Sequence, residues 1–238
     1  MPVTEAPKVA ILALHKVGEP SVEGWYTWNY VSQAKLREFL QVLREEGWAF
    51  IDHARFIEGL TAPERLPPKS ALVTFDDAYR SVLTDALPVL REFDCPGVVF
   101  TPVGLVGGLN DFDKDIEPNE AICSWDDLRA LKAGGVSSQA HGVQHQAMSK
   151  LSETEVMAKL ATSKAVLERK LDAPVELFAY PYGDADHPAL TEALLGEFGY
   201  RAAFLYGGGV VEMPPRATHQ ITRLALGPDS DLRAMLAE

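Results

Sequence analysis

The sequence predicts a compact parallel (β/α) barrel folded as a single domain over residues 1–238. Two observations lead there. Short apolar, β-rich runs alternate with helix-like segments along the whole chain, and the runs number about eight, the strand count of such a barrel. The runner-up is an open doubly wound sheet, and no glycine-rich dinucleotide fingerprint demands it.

The strand candidates are 9–14 (VAILAL), 48–52 (WAFID), 71–75 (ALVTF), 97–103 (GVVFTPV), 136–140 (VSSQA), 176–180 (ELFAY), 201–206 (RAAFLY) and 221–226 (ITRLAL). Between the first two, Leu36, Phe39, Leu40 and Leu43 recur at helical spacing behind Ser32, with Gly47 placed as a C-terminal cap. Ser124 to Asp127 and Ser152 to Glu155 both have capping-box spacing, and the second opens a helix carrying Val156, Leu160, Leu167 and Leu171. Residues 188–198 start on Pro188 and stop before Gly199, as a helix prefers.

The formal net charge of -12 argues against a nucleic acid partner, whose affinity is built from Lys and Arg on phosphates. The two cysteines, Cys95 and Cys123, form no CxxC pair, so neither a disulfide framework nor a thiolate zinc site is expected. The first residues lack a basic leader followed by a long apolar run, and no later stretch suits a bilayer span. A cytoplasmic chain is the expectation, or a secreted or periplasmic one if the sequence is a trimmed form.

The polar residues that could do chemistry share one location. His15 follows the first strand, Asp76 and Asp77 follow 71–75, His141 and His145 follow 136–140, and Pro181-Tyr182-Gly183 follows 176–180. In a parallel barrel the C-terminal strand ends form one face, where residues far apart in sequence converge. On a helical turn, His141 and His145 at i and i+4 would point to the same side, and two imidazoles with one carboxylate make a three-ligand metal site. Adjacent aspartates repel, and a cation compensates them. A plainer alternative makes Asp76 and Asp77 a helix N-cap with a first-turn acid, and the histidine pair a solvated loop.

Taken together, TFDD (74–77), HGVQH (141–145) and FAYPYG (178–183) resemble, in order and spacing, the polysaccharide deacetylases of carbohydrate esterase family four. LHKVG (14–18) and ITRLAL (221–226) are most similar to the branch of poly-N-acetylglucosamine deacetylases, and the resemblance covers about residues 8–227. It implies a distorted (β/α) barrel and a metal-dependent hydrolase that removes N-acetyl, or O-acetyl, groups from an amino sugar or polysaccharide. It further implies Asp76 as general base, Asp77, His141 and His145 as ligands of a divalent metal, usually zinc (cobalt, nickel and iron being alternatives), the Tyr182 backbone N–H as an oxyanion donor, and His15 as general acid. His219 is the competing acid.

The chain departs from the family pattern at Ala179, where many members carry an arginine that orients the base; Arg223 is the candidate substitute. Gly142 and Leu14 also replace commoner residues. Trp25 and Trp28, with their tyrosine neighbours, form an aromatic cluster after the first strand, suited either to packing the loop or to stacking on sugar rings. Two other functions compete: a catalytically weak carbohydrate-binding barrel, and a non-haem iron enzyme built on the same two-histidine, one-carboxylate set.

Overall fold

A computed structural model of the chain describes residues 5–19, 27–187, 189–190 and 192–237. In chain order its elements are β1 (Lys8–Leu14), β2 (Lys16–Val17), β3 (Tyr30–Val31), α1 (Gln33–Glu45), β4 (Ala49–Phe50), α2 (His53–Thr61), β5 (Lys69–Phe75), α3 (Leu87–Glu92), β6 (Gly97–Thr101) and α4 (Trp125–Ala133). They continue with β7 (Val136–Ala140), α5 (Glu153–Leu171), β8 (Leu177–Ala179), α6 (Glu192–Glu197), β9 (Ala202–Phe204), β10 (Val211–Glu212), β11 (Leu224–Ala225) and α7 (Leu232–Ala237).

The main sheet runs β10-β1-β5-β6-β7-β8-β9, and from β1 to β9 every pairing is parallel. It curls into the predicted distorted barrel. Residues 221–225 span the remaining gap, because Ile221 bridges Phe204 while Leu224 and Ala225 pair with Leu12 and Ala13. Three features depart from a regular barrel. β4 pairs with the start of β5 rather than standing between β1 and β5, which pair directly over seven residues. β10 is antiparallel to β1, and β2 and β3 form a separate small sheet. β4 is a two-residue strand with neither residue buried, so little holds it in the regular position.

Strand parity explains the layers. Val9, Ile11, Leu72, Val98, Phe100, Leu177, Ala202 and Phe204 pack together inside the curl. Their neighbours Ala10, Leu12, Ala71, Val73, Val99 and Phe178 belong to the cluster under the helices. Both faces are buried, which is why the strands read as nearly continuous apolar runs.

The helix starts follow the predicted caps. Ser32 accepts from the Lys35 N–H at 3.0 Å, and Leu36, Phe39, Leu40 and Leu43 are the buried face of α1. Both capping boxes form, at Ser124/Asp127 for α4 and Ser152/Glu155 for α5. Such a cap stabilises by about 1 kcal/mol. The helix expected over 188–198 is shorter, α6 alone, and Pro188 lies outside the described residues. The aspartate pair is not a helix N-cap: Asp77 (φ 67°) and Ala78 (φ 57°) are left-handed, and the next helical turn begins at Val82.

Candidate metal and catalytic site

The inward parity of the strands carries on into the residues that follow them. His15 continues the phase of Val9 and Ile11, Asp76 that of Leu72, and Tyr206 that of Ala202 and Phe204. All three line one cavity at the C-terminal strand ends, together with Asp77, His141, His145, Tyr182 and Trp28. Its volume is about 290 Å³.

Asp76 and Asp77 diverge because the chain turns left-handed between them and the helix. Asp76 stays inward and meets Arg223, whose Nη1 and Nη2 donate to Oδ1 and Oδ2, each at 2.7 Å. Arg223 is fully buried, also donates to the Leu205 carbonyl and to Thr74 Oγ1, and lies over the rings of Phe100 and Phe204. Burial is the strongest single influence on Asp76 and pushes its carboxyl up. The guanidinium outweighs it and holds the group below its ordinary value of 3.8.

Asp77 turns the other way. Its Oδ1 lies 3.3 Å from His141 Nε2 and 3.0 Å from His145 Nε2, and its Oδ2 lies 4.0 Å from His15 Nε2. Burial pushes this carboxyl up as well, but the facing imidazoles hold it well below the usual range. His141 Nδ1 sits 2.8 Å from the Ala179 carbonyl; it donates there, which leaves Nε2 as a lone pair. Asp77 Oδ1 is buried without a well-aligned hydrogen bond, and the donor atoms of Asp77, His141 and His145 lie within 4.8 Å of one another. Two imidazoles and a carboxylate whose ligand atoms converge this closely in a buried site fit a divalent metal.

The four-residue histidine spacing works differently from expectation. Residues 141–145 form no helical turn; Gly142 (φ 71°) and His145 (φ 52°) are left-handed and bend the loop until both rings face Asp77. Tyr182 is also left-handed (φ 59°), and its ring packs against His145 at 4.4 Å. Asp77, Ala78, His145 and Tyr182 are four of the six non-glycine residues with positive φ among those described. Backbone strain of this kind collects where a side chain must be aimed.

His15 packs edge-on against Trp28 and Tyr206, at 5.6 and 5.4 Å between ring centroids. Burial, only partly offset by the Asp77 charge, lowers its pKa below the ordinary 6.5. Pro181, the first residue of the 181–183 turn, is buried. His219, the competing acid, is buried, its Nε2 lies 2.9 Å from the Tyr200 carbonyl, and it does not line the cavity. Trp25 lies outside the described residues.

Sequence reading missed Tyr206, although its parity with Ala202 and Phe204 was there to be read. It also missed Phe112, whose ring stands 4.1 Å from that of His145, and Glu117 on the cavity wall. No local pattern marks the loop that carries these two.

The family model described as polysaccharide deacetylase matches residues 64–203, a span that holds Asp76, Asp77, both histidines and the 181–183 turn but neither His15 nor Arg223. The poly-beta-1,6-N-acetyl-D-glucosamine N-deacetylase of Escherichia coli (strain K12) is 26% identical over 213 residues, 76% of this chain. The chain spans 31% of that relative's length. IcaB from Ammonifex degensii superimposes with a TM-score of 0.79 at 25% identity, covering 97% of each chain. The Streptococcus pyogenes deacetylase PplD, in complex with acetate, has the same fold, with a TM-score of 0.82 at 21% identity over 97% of this chain and 99% of that one. With the family match taking in more than half the chain, this protein belongs to the polysaccharide deacetylase family.

Proposed function

We propose that this chain is a zinc-dependent deacetylase that hydrolyses the acetamide of N-acetylated amino sugars within a polysaccharide. One observation carries the reading. Two adjacent aspartates are separated into a carboxylate locked by Arg223 and a carboxylate facing two imidazoles, with a third imidazole, His15, 4.0 Å away.

A divalent cation held by Asp77, His141 and His145 would supply Lewis acidity at the acyl oxygen and acidify water. Asp76, kept ionised by Arg223, is the proton acceptor for the attacking water. The Tyr182 backbone N–H is assigned as donor to the developing oxyanion, the kind of fixed dipole that lowers such barriers. His15 protonates the departing amine, which otherwise leaves poorly. Trp28 and Tyr182 are 52% and 57% exposed at the cavity edge, where their faces can stack on flanking sugar rings. The E. coli relative, by its name, acts on a poly-beta-1,6-N-acetyl-D-glucosamine, which supports the substrate class.

The test is acetate release from N-acetylglucosamine oligomers, β-1,6-linked and β-1,4-linked, by zinc-loaded and chelator-treated protein. Chelator-sensitive release supports the reading. Oligomer binding without any release would leave only a carbohydrate-binding barrel, and oxygen consumption by an iron-loaded form would point to the iron enzyme instead.

A further inference from the structure

The two histidines of the metal cluster are held in different ways. The His141 ring is fixed by the Ala179 carbonyl at 2.8 Å from its Nδ1. The His145 Nδ1 is buried and meets no hydrogen-bond partner among the described residues. A metal-ligating imidazole almost always has such a partner, which sets its tautomer and its angle. What His145 has is a wedge: the Phe112 ring at 4.1 Å and 35° and the Tyr182 ring at 4.4 Å and 66°.

Phe112 belongs to a loop tied down on both sides. Within the loop, Asn110 donates to the Pro118 carbonyl at 3.1 Å and accepts from the Glu120 N–H at 2.6 Å, while the Ile116 and Glu117 N–H groups both donate to the Asp113 carbonyl at 2.8 Å. Towards the barrel, Glu117 pairs with Lys16 and accepts from Asn29 Nδ2 at 2.6 Å. Lys16 is 1% exposed, with its Nζ 4.6 Å from the ring centroids of Tyr30 and Tyr79. A buried ion pair adds little net stability, but it fixes which segment sits where. Here the segment is the one that lays Phe112 on His145.

We propose that Phe112, pinned by the Lys16–Glu117 pair, is the positioning residue of the metal centre and sets the His145 ring angle that a hydrogen bond on Nδ1 would otherwise set. The proposal rests on the metal reading of Asp77, His141 and His145 and not on which bond the enzyme hydrolyses. Its readout is therefore metal affinity, independent of turnover.

The full chain competes for zinc against a chromophoric chelator, and the cobalt-loaded protein is followed by its visible spectrum. Phe112→Ala should weaken zinc binding by about 10- to 100-fold, the range for losing an outer partner of a ligand, and shift the cobalt bands. Phe112→Tyr, which keeps the flat ring, should restore both. Glu117→Gln, which loosens the loop but leaves the ring, should weaken binding by a smaller factor. Melting of the metal-free variants checks folding; if Phe112→Ala does not fold, Phe112→Leu is read in its place with the same expectation. Parental affinity in the ring-less variant, or equal losses in Phe112→Ala and Phe112→Tyr, would overturn the proposal alone. A parent that binds no zinc overturns the metal reading itself.

Discussion

Arg223 grips both carboxylate oxygens of Asp76 at 2.7 Å from 147 residues away in the chain, with the guanidinium fully buried and the carboxylate just reaching the cavity. It holds the proposed base ionised and aimed, the work that the family resemblance gives to an arginine where this chain has Ala179. The Ala179 backbone is used instead, as the acceptor for His141.

Removing that grip has a predictable sign. With Arg223 present the Asp76 pKa lies below 3.8, so the base is ionised at any pH above that. Without it, burial is left to raise the pKa. The acid limb of the rate profile should therefore move upward in Arg223→Gln, by about 1–3 pH units. Urea unfolding should show a loss of about 3–5 kcal/mol, the usual cost of leaving half of a buried pair. An unmoved acid limb would show that Asp76 is not the titrating base.

The two aspartates should separate cleanly in metal analysis. Asp77→Ala and His141→Ala should abolish stoichiometric zinc, whereas Asp76→Asn should keep zinc and lose about 10²- to 10⁴-fold in turnover. Chelator treatment of the parent should inactivate it, with zinc or cobalt restoring activity. Full turnover in a demonstrably metal-free preparation would end the metal assignment.

His15→Asn tests the acid by changing the leaving group. Hydrolysis of an N-acetyl sugar should fall by on the order of 10²-fold, while an activated aryl acetate, whose leaving group needs no proton, should be hydrolysed nearly as before. Zinc content should not change. Equal losses on both substrates would mean that His15 shapes the site rather than donating a proton. Because burial pushes the His15 pKa below 6.5, the selective activity should already be declining as pH rises past neutrality.

Gly183 tests the oxyanion turn. A Cβ there would come within 2.7 Å of Tyr206 Cβ and 2.8 Å of its backbone N, at a φ of 67° that other residues rarely adopt. Gly183→Ala should displace the Tyr182 backbone N–H and lower kcat by at least about tenfold in zinc-saturated protein, zinc being kept in excess because the Tyr182 ring also packs against His145. Unchanged kcat would remove the turn from the reaction.

The strand ends were legible for a physical reason. Runs such as VAILAL and ALVTF are buried on both faces, so the polar residue that terminates each one stands out, and His15 and Asp76 were found that way. The aim of the HGVQH loop was not legible in the same sense, since left-handed Gly142 and His145, rather than a helical turn, bring its rings together. His219 was a candidate acid because it stands beside the last strand, whereas its ring turns back to the Tyr200 carbonyl and away from the cavity. Phe112 could not be found at all: its contact with His145 depends on Lys16 meeting Glu117 across 101 residues, and no local pattern encodes that meeting.

The short segment that spans the barrel's gap also sets an order of events. A ribosome delivers β1 through β9, both aspartates and all three site histidines before residues 221–225 emerge, and until then Asp76 lacks the guanidinium that pairs with it. The growing chain therefore carries its reactive groups in an unsealed sheet. The stitch that joins the sheet's two edges also brings Arg223, so closing the barrel and arming the proposed base are one step of biosynthesis.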